Sequence, residues 1–210
     1  MSTPPFKELR RVYGFDEVAI VPGDVTINPD MTQMGFSVEG IDLSIPIIAS
    51  AMDAVVSTEF ASTMHSHGGL GVMNLEGVQT RYVDTSVIFD RIVTSPKQDV
   101  TTILQELYSV PISEMLIGER VEEIKKSGSI CAVSVTPANT KQLAPIAVEA
   151  GADVVFVQST VTTTRHISRS VRGLRFAELL EMVKVPIIVG NCVSYDVALE
   201  LMETGIHGVL

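Results

Sequence analysis

Tryptophan is absent from the 210 residues, cysteine occurs twice, and aromatic residues make up only 5% of the chain. The two thiols, Cys131 and Cys192, lie inside apolar segments and lack Cys-x-x-Cys spacing, which excludes a disulfide framework and a cysteine-rich zinc module. No metal site is expected, since His65 and His67 stand two apart, the wrong spacing for two ligands on one helical face. Basic residues are scarce as well, 15 against 25 acidic, for a net charge of -10. Such a chain opposes a polyphosphate backbone, so nucleic acid is excluded as a partner. One phosphate held by backbone N–H groups remains open whatever the global charge. No apolar run approaches the roughly 18 to 20 residues of a membrane span, and the opening MSTPPFKELRR lacks the apolar centre of a signal peptide. The expected setting is cytoplasmic, away from membranes.

A hydrophobic share of 46% is present instead, enough for one sizeable core. One pattern recurs: a helix-like stretch, a glycine, then a short apolar run rich in β-branched residues. It appears as HSHGGLGVM (65 to 73), KKSGSICAVSV (125 to 135), EAGADVVFV (149 to 157) and ETGIHGVL (203 to 210). Gly68, Gly128, Gly151 and Gly205 suit the left-handed residue that ends a helix. Two more runs open on proline, IPIIASA (45 to 51) and VPIIVGN (185 to 191), where a missing ladder donor does least harm.

These runs do not alternate with polar residues, which predicts strands buried on both faces in a parallel α/β fold. No Gly-x-Gly-x-x-Gly follows any of them, which argues against an open dinucleotide-binding sheet. Polar residues instead follow several different strands: Ser50 and Asp53, Asn74 and Glu76, Thr136, then Gln158, Ser159 and Thr160, then Asn191. Chemistry drawn from many strand ends is how a (β/α)₈ barrel builds its site. Counting from Ile45 gives five βα units and the start of a sixth strand near Gly208. A full barrel takes roughly 250 residues and eight strands, so the chain reads as the N-terminal part of a TIM barrel, cut inside the sixth strand. Residues 1 to 43 read as an irregular, hairpin-containing extension packed on that barrel, and residues 44 to 210 as the partial barrel. In the connection from 77 to 127, DVTTILQELYS and IGERVEEIKKS are expected to be helical, with Ile103, Leu104 and Leu107 on a packed face.

IASAMDAVVS places Ser50, Met52 and Asp53 directly after a strand. Met52 could pack on a planar ligand; alternatively it fills the barrel mouth while Asp53 caps the next helix. The ordered segments YGFDEVAIVPG (13 to 23), IPIIASAMDAVVS (45 to 57), GGLGVMNLEG (68 to 77), EAGADVVFVQST (149 to 160) and VPIIVGNCVS (185 to 194) resemble the IMP dehydrogenase / GMP reductase family from about Arg11 to Leu210. The resemblance implies a (β/α)₈ barrel, homotetrameric, that moves a hydride between NAD or NADP and C2 of a purine nucleotide, IMP or GMP, through a cysteine thioimidate. The short connection after the second strand leaves no room for the CBS insertion of classical IMP dehydrogenases and points to the CBS-less, IMP-dehydrogenase-related branch.

Carried over by position, Ser50 and Met52 match residues that line the nucleotide's base and ribose, and Asn191 the asparagine beside the reacting ring. Gln158, Ser159 and Thr160 stand where the family has Asp-Ser-Ser, whose aspartate contacts the cofactor ribose; losing that carboxylate bears on the choice of cofactor. Val72 to Glu76 likewise replace the family's His-Asn text after the glycines. The resemblance puts the catalytic cysteine loop and the phosphate loops beyond Leu210, so no catalytic residue is assigned within the chain and the fragment by itself is expected to be inactive. Cys192 is not at the catalytic position and reads as a buried, inert thiol. Arg165, Arg169, Arg172 and Arg175 could attract a cofactor phosphate or form a solvated helix face. Two other classes stay in view. One is a flavin-dependent barrel of the nitronate monooxygenase type, which shares the look of IPIIASAMD and GADVVFVQ. The other is a non-catalytic family member that binds a nucleotide or a partner chain.

Overall fold

A computed structural model describes residues 11–164 and 174–210. The chain divides into two compact units, Met1–Gln33 and Met34–Leu210. The described part of the first holds two single 3-10 turns. In Phe15–Glu17 the Glu17 carboxylate accepts from the Gly14 N–H at 2.9 Å, and Pro29–Met31 opens on a proline whose missing N–H costs nothing there. Its Val12, Val18, Ile20 and Val21 are exposed.

The second unit starts with an antiparallel hairpin, β1 (Phe36–Val38) and β2 (Ile41–Leu43), turned by Glu39 and Gly40, both at positive φ. Six parallel strands follow, each hydrogen-bonded to the next in chain order: β3 (Ile48–Ala49), β4 (Leu70–Asn74), β5 (Ala132–Val135), β6 (Val154–Gln158), β7 (Ile187–Gly190) and β8 (Gly208–Val209). A strand order that never reverses is barrel topology, and the sheet is an unclosed part of a (β/α)₈ barrel.

Side chains alternate across a strand, and here both faces are apolar. Met73, Val133, Val155, Val157, Ile187 and Val189 face the helices and form the larger core. Val72, Ala132, Val154, Phe156 and Ile188 face the concave side, where Leu43 of the hairpin joins them. Helices α1 (Thr58–Ser66), α4 (Glu114–Lys126), α5 (Thr140–Glu149), α6 (Phe176–Met182) and α7 (Tyr195–Glu203) supply the outer layer. Serine side chains start three of them: Ser57, Ser113 and Ser194 accept from the N–H groups of Phe60, Leu116 and Val197. The four glycines expected to end helices all have positive φ. At Gly68 the need is double, because a Cβ would also lie 1.7 Å from Ser44 Oγ. Gly71 lets α1 settle directly on β4, since a Cβ there would stand 2.8 Å from Ala61 Cα.

The connection after β4 departs from expectation. Besides α3 (Val100–Ser109) and α4, it holds a further helix, α2 (Thr85–Thr94). Its run of valine, isoleucine and phenylalanine is helix-poor in propensity, but Asp84 caps it, accepting from the Ser86 and Val87 N–H groups. The Ser86 hydroxyl and the Val87 amide hold the Asp84 carboxyl below the ordinary aspartate range. Two arginines bind the connection's carbonyls. Arg81 donates to the Glu76 carbonyl from Nε and Nη2 and to that of Val110 from Nη1. Arg120 donates to the carbonyls of Gln79, Tyr82 and Val83 at 3.0, 3.1 and 2.7 Å.

The first strand also differs from its reading as buried on both faces: Ile47 is 55% and Ile48 36% exposed. Among the described residues β3 has one strand neighbour, β4, and β8 stands at the opposite edge of the sheet. Unpaired strand edges flanked by apolar side chains template association. The 210-residue chain is therefore expected to self-associate at micromolar concentration; a monodisperse, cooperatively melting monomer in sedimentation velocity would contradict this.

Candidate functional site

The inward parity that buries Leu70 and Val72 brings Asn74 to the carboxyl end of β4 on the concave side, and the parity of Val154 and Phe156 does the same for Gln158 on β6. Pleating alone thus delivers carboxamides to one rim of the sheet. Around them lie Ser50, Met52 and Asp53 after β3, Glu76 after β4, Thr136 after β5, and Asn191 after β7.

Two carboxylates organise this rim. Asp53 does not cap α1, whose N-cap is Ser57; it reaches sideways, accepting from Asn74 Nδ2 at 3.2 Å, the Val78 N–H at 2.9 Å and the Tyr108 hydroxyl. Burial, then the bond and charge of Asp53, push the Tyr108 phenol well above its ordinary range, with Arg81 opposing. Glu76 accepts from the backbone N–H and Oγ1 of Thr136 and from Asn139 Nδ2, bridging the β4 and β5 loops. Each carboxylate therefore fastens neighbouring loops together. Glycine at 77 makes room for this, because a Cβ there would stand 1.7 Å from Asp53 Oδ1.

On the far side of the rim, β6 and β7 continue as a ladder past their ends. The Ser159 N–H donates to the Gly190 carbonyl at 2.9 Å, and the Asn191 N–H to the Ser159 carbonyl at 3.0 Å. Gln158 Nε2 donates to Asn191 Oδ1 at 3.1 Å. The Ser159 hydroxyl points back to the Val161 carbonyl and to Thr162 Oγ1, which leaves Thr160 as the exposed hydroxyl of the three. Of the residues expected to form a site, the structure brings Gln158, Ser159 and Asn191 into direct contact. Ser50 and Met52 stand after β3, with three strands between β3 and β7, about 19 Å along the sheet at ordinary strand spacing. Met52 is 54% exposed rather than filling the mouth.

Cys192 is half-buried, not buried, because it lies past the end of β7; its Sγ donates to the Ser194 carbonyl at 3.3 Å. Cys131 is the buried thiol, pushed up to about 12 by burial first and by the charge of Asp153 second, with Lys125 opposing. Arg165, Arg169 and Arg172 lie outside the described residues, while Arg175 pairs with Glu178 at 3.6 Å. Among the described residues no group of three or more His, Cys, Asp or Glu side chains is set to hold a metal ion, and no helix is long and apolar enough to cross a membrane.

A sequence model of the IMP dehydrogenase / GMP reductase domain matches residues 12–210. The chain belongs to that family. An uncharacterized oxidoreductase of Mycobacterium tuberculosis is 31% identical over 206 residues, 96% of this chain and 55% of that protein. An inosine-5'-monophosphate dehydrogenase of Methanocaldococcus jannaschii is 29% identical over 126 residues, 56% of this chain and 25% of its own length. The crystal structure of an IMP dehydrogenase/GMP reductase-like protein from Corynebacterium glutamicum superposes with a TM-score of 0.89 at 30% identity, covering 97% of this chain and 54% of that one. The chain thus spans about half the length of the curated family members it resembles over its whole extent.

The roles of Asp53 and Glu76 as loop clamps were not read from the sequence. The available signal was a pair of carboxylates each placed just after a buried strand, beside Asn74 and ahead of Gly77.

Two outcomes follow from this geometry. Tyr108→Phe removes one donor from Asp53 and is expected to lower unfolding free energy by about 1 kcal/mol, whereas Gly77→Ala displaces the carboxylate and costs about 1 to 3 kcal/mol; urea melts compare them. At pH 8 a thiol with a pKa near 12 is thiolate in about one molecule in 10⁴. A disulfide-exchange reagent should therefore label Cys192 in the folded protein and reach Cys131 only after denaturant is added.

Proposed function

We propose that the full-length protein is an NAD(P)-dependent oxidoreductase acting on a purine nucleotide, IMP or GMP, by hydride transfer at C2, and that this chain supplies part of the nucleotide and cofactor walls. Ser50, Met52 and Asn191 are proposed to line the nucleotide. The thioether of Met52 stands free to pack on a planar base, and the Asn191 carboxamide, held by Gln158, offers its remaining donors toward the reacting ring. No residue of this chain is proposed as the nucleophile.

The observation that supports this reading best is the hydrogen-bonded Gln158–Asn191 pair at 3.1 Å, uncharged and at the rim of a family barrel sheet. Gln158 and Thr160 fit the hydroxyl groups of a cofactor ribose as neutral donors and acceptors. Where the family's aspartate would repel a 2'-phosphate, an amide does not, which favours tolerance of both NAD and NADP. The nicotinamide, when bound, supplies or takes the hydride. Ser159, whose hydroxyl also bonds to the Val161 carbonyl and to Thr162 Oγ1, is proposed beside Gln158 and Thr160 as the third cofactor-binding residue. The same reading makes the full-length protein a cytoplasmic homotetramer.

The test is nucleotide titration of the full-length protein by calorimetry, followed by absorbance assays with each nucleotide and each nicotinamide cofactor. Asn191→Ala is expected to weaken nucleotide binding at least about tenfold, and Gln158→Asp to shift preference from NADP toward NAD. Absence of both nucleotide binding and any change in cofactor absorbance would sink the proposal.

A further inference from the structure

Below the rim, one polar side chain stands on the inner wall of the sheet. Ser134 shares the inward parity of Ala132 on β5, so its hydroxyl lies on the concave side while Val133 and Val135 face the helices. The residue is only 5% exposed, and its hydroxyl has no hydrogen-bond partner among the described residues. Unlike Gln79 Nε2, which is both unpartnered and shut off from solvent, the Ser134 oxygen keeps some accessible surface. Buried polar groups are nearly always paired, so an unmet hydroxyl that opens toward a barrel mouth calls for a partner from outside the chain.

Strand register sets its neighbours. Asn74, Ser134, Phe156 and Ile188 form one row across β4 to β7. Ala132 below and Phe156 beside offer only carbon, and Thr136 above already gives its hydroxyl to Glu76 Oε1 at 3.0 Å. That leaves Asn74, whose amide has a fixed orientation. The Asp53 carboxylate can only accept and the Glu76 backbone N–H can only donate, so Nδ2 faces Asp53 Oδ1 at 3.2 Å and Oδ1 faces Glu76 N at 3.0 Å. The second Nδ2 hydrogen has no partner among the described residues. Neighbouring strands lie about 4.8 Å apart, so this N–H and the Ser134 O–H can both reach one acceptor set between them, each at about 2.9 Å.

The surroundings decide what that acceptor is. Both carboxylates of the rim, Asp53 and Glu76, stand beside Asn74, so a phosphate or carboxylate is repelled. An ammonium would meet the Asn74 donor head-on. A neutral carbonyl oxygen, with two lone pairs, takes both bonds.

We infer that Asn74 and Ser134 form a carbonyl-binding pair on the inner wall of the mouth, which reads an oxo group of the bound ligand. The inference deepens the proposed nucleotide and cofactor site and rests on that reading. Two carbonyls of such a site qualify, the 6-oxo group of the purine and the carboxamide of the nicotinamide. The pair stands between Met52, after β3, and Gln158, at the end of β6, within reach of either ligand.

The test is calorimetry on the full-length protein and its Ser134→Ala variant. That substitution removes a hydroxyl no protein group uses, so urea melts should show stability unchanged or raised. The ligand that brings the carbonyl, IMP or the oxidised nicotinamide dinucleotide, should bind the variant about three- to tenfold more weakly. Purine riboside 5'-monophosphate lacks the 6-oxo group, and the dinucleotide with pyridine in place of nicotinamide lacks the carboxamide. The variant's loss should vanish with the first if the purine is read and with the second if the nicotinamide is. Infrared spectra edited with carbon-13 at that carbonyl should place its stretch at lower frequency on the wild type than on Ser134→Ala. Equal affinity of both proteins for IMP and for the dinucleotide, or a loss that persists when the carbonyl is absent, would overturn the inference and leave water as the partner of Ser134. A wild type that binds neither ligand sinks the proposed function and this inference with it, whereas intact binding without a Ser134 effect sinks the inference alone.

Discussion

In a parallel sheet covered on both faces, every backbone N–H and C=O must be satisfied within the ladder, because neither water nor side chains reach it. That constraint shapes the whole second unit. Val72, Ala132, Val154 and Ile188 on one side and Met73, Val133, Val155 and Ile187 on the other leave no place for a polar group along β4 to β7, apart from Ser134 and the last residues of β4 and β6, Asn74 and Gln158. Polar side chains can emerge only where the ladder stops. The rim from Ser50 to Asn191 is therefore a consequence of the core, and ligand chemistry supplied by the strands is confined to it.

A rim made of loops needs fastening, and buried-edge carboxylates do this. Asp53 ties the loop after β3 to β4, to the turn at Val78 and to α3 through Tyr108. Glu76 ties the loop after β4 to the start of α5 through Thr136 and Asn139. In both cases an anion sits among neutral donors, an arrangement whose bonds are stronger than neutral ones. Arg81 and Arg120 perform the mirrored task for the long connection, gathering carbonyls that no strand or helix uses. The chain's negative charge is thus not spread uniformly in purpose: some carboxylates are fasteners, while Glu59 lies exposed in the first turn of α1.

The recurring helix-glycine-strand text carried much of the architecture. Gly68, Gly128, Gly151 and Gly205 each take the left-handed conformation that their position after a helix suggested, and the six apolar runs became six parallel strands in order. Family membership was legible for the same reason, since ordered strand-end segments are a one-dimensional record of the rim. Other features were not legible. Helix α2 was missed because its β-branched residues mask a helix that one side-chain cap and neighbouring segments hold. Asp53 read as a helix cap because capping is a local rule, whereas its actual partners stand 21, 25 and 55 residues away.

The sequence by itself determined the alternation of elements, the burial of the central strands and the residue types delivered to their ends, because periodicity and turn chemistry act over a few residues. Only the tertiary structure decided which of those residues meet. Gln158 and Asn191 pair across 33 positions, Asp53 gathers Asn74 and Tyr108, and the buried Gln79 amide nitrogen is left without a partner among the described residues. Such contacts depend on how strands stack in register and how helices lie over them, and no local pattern encodes that distance.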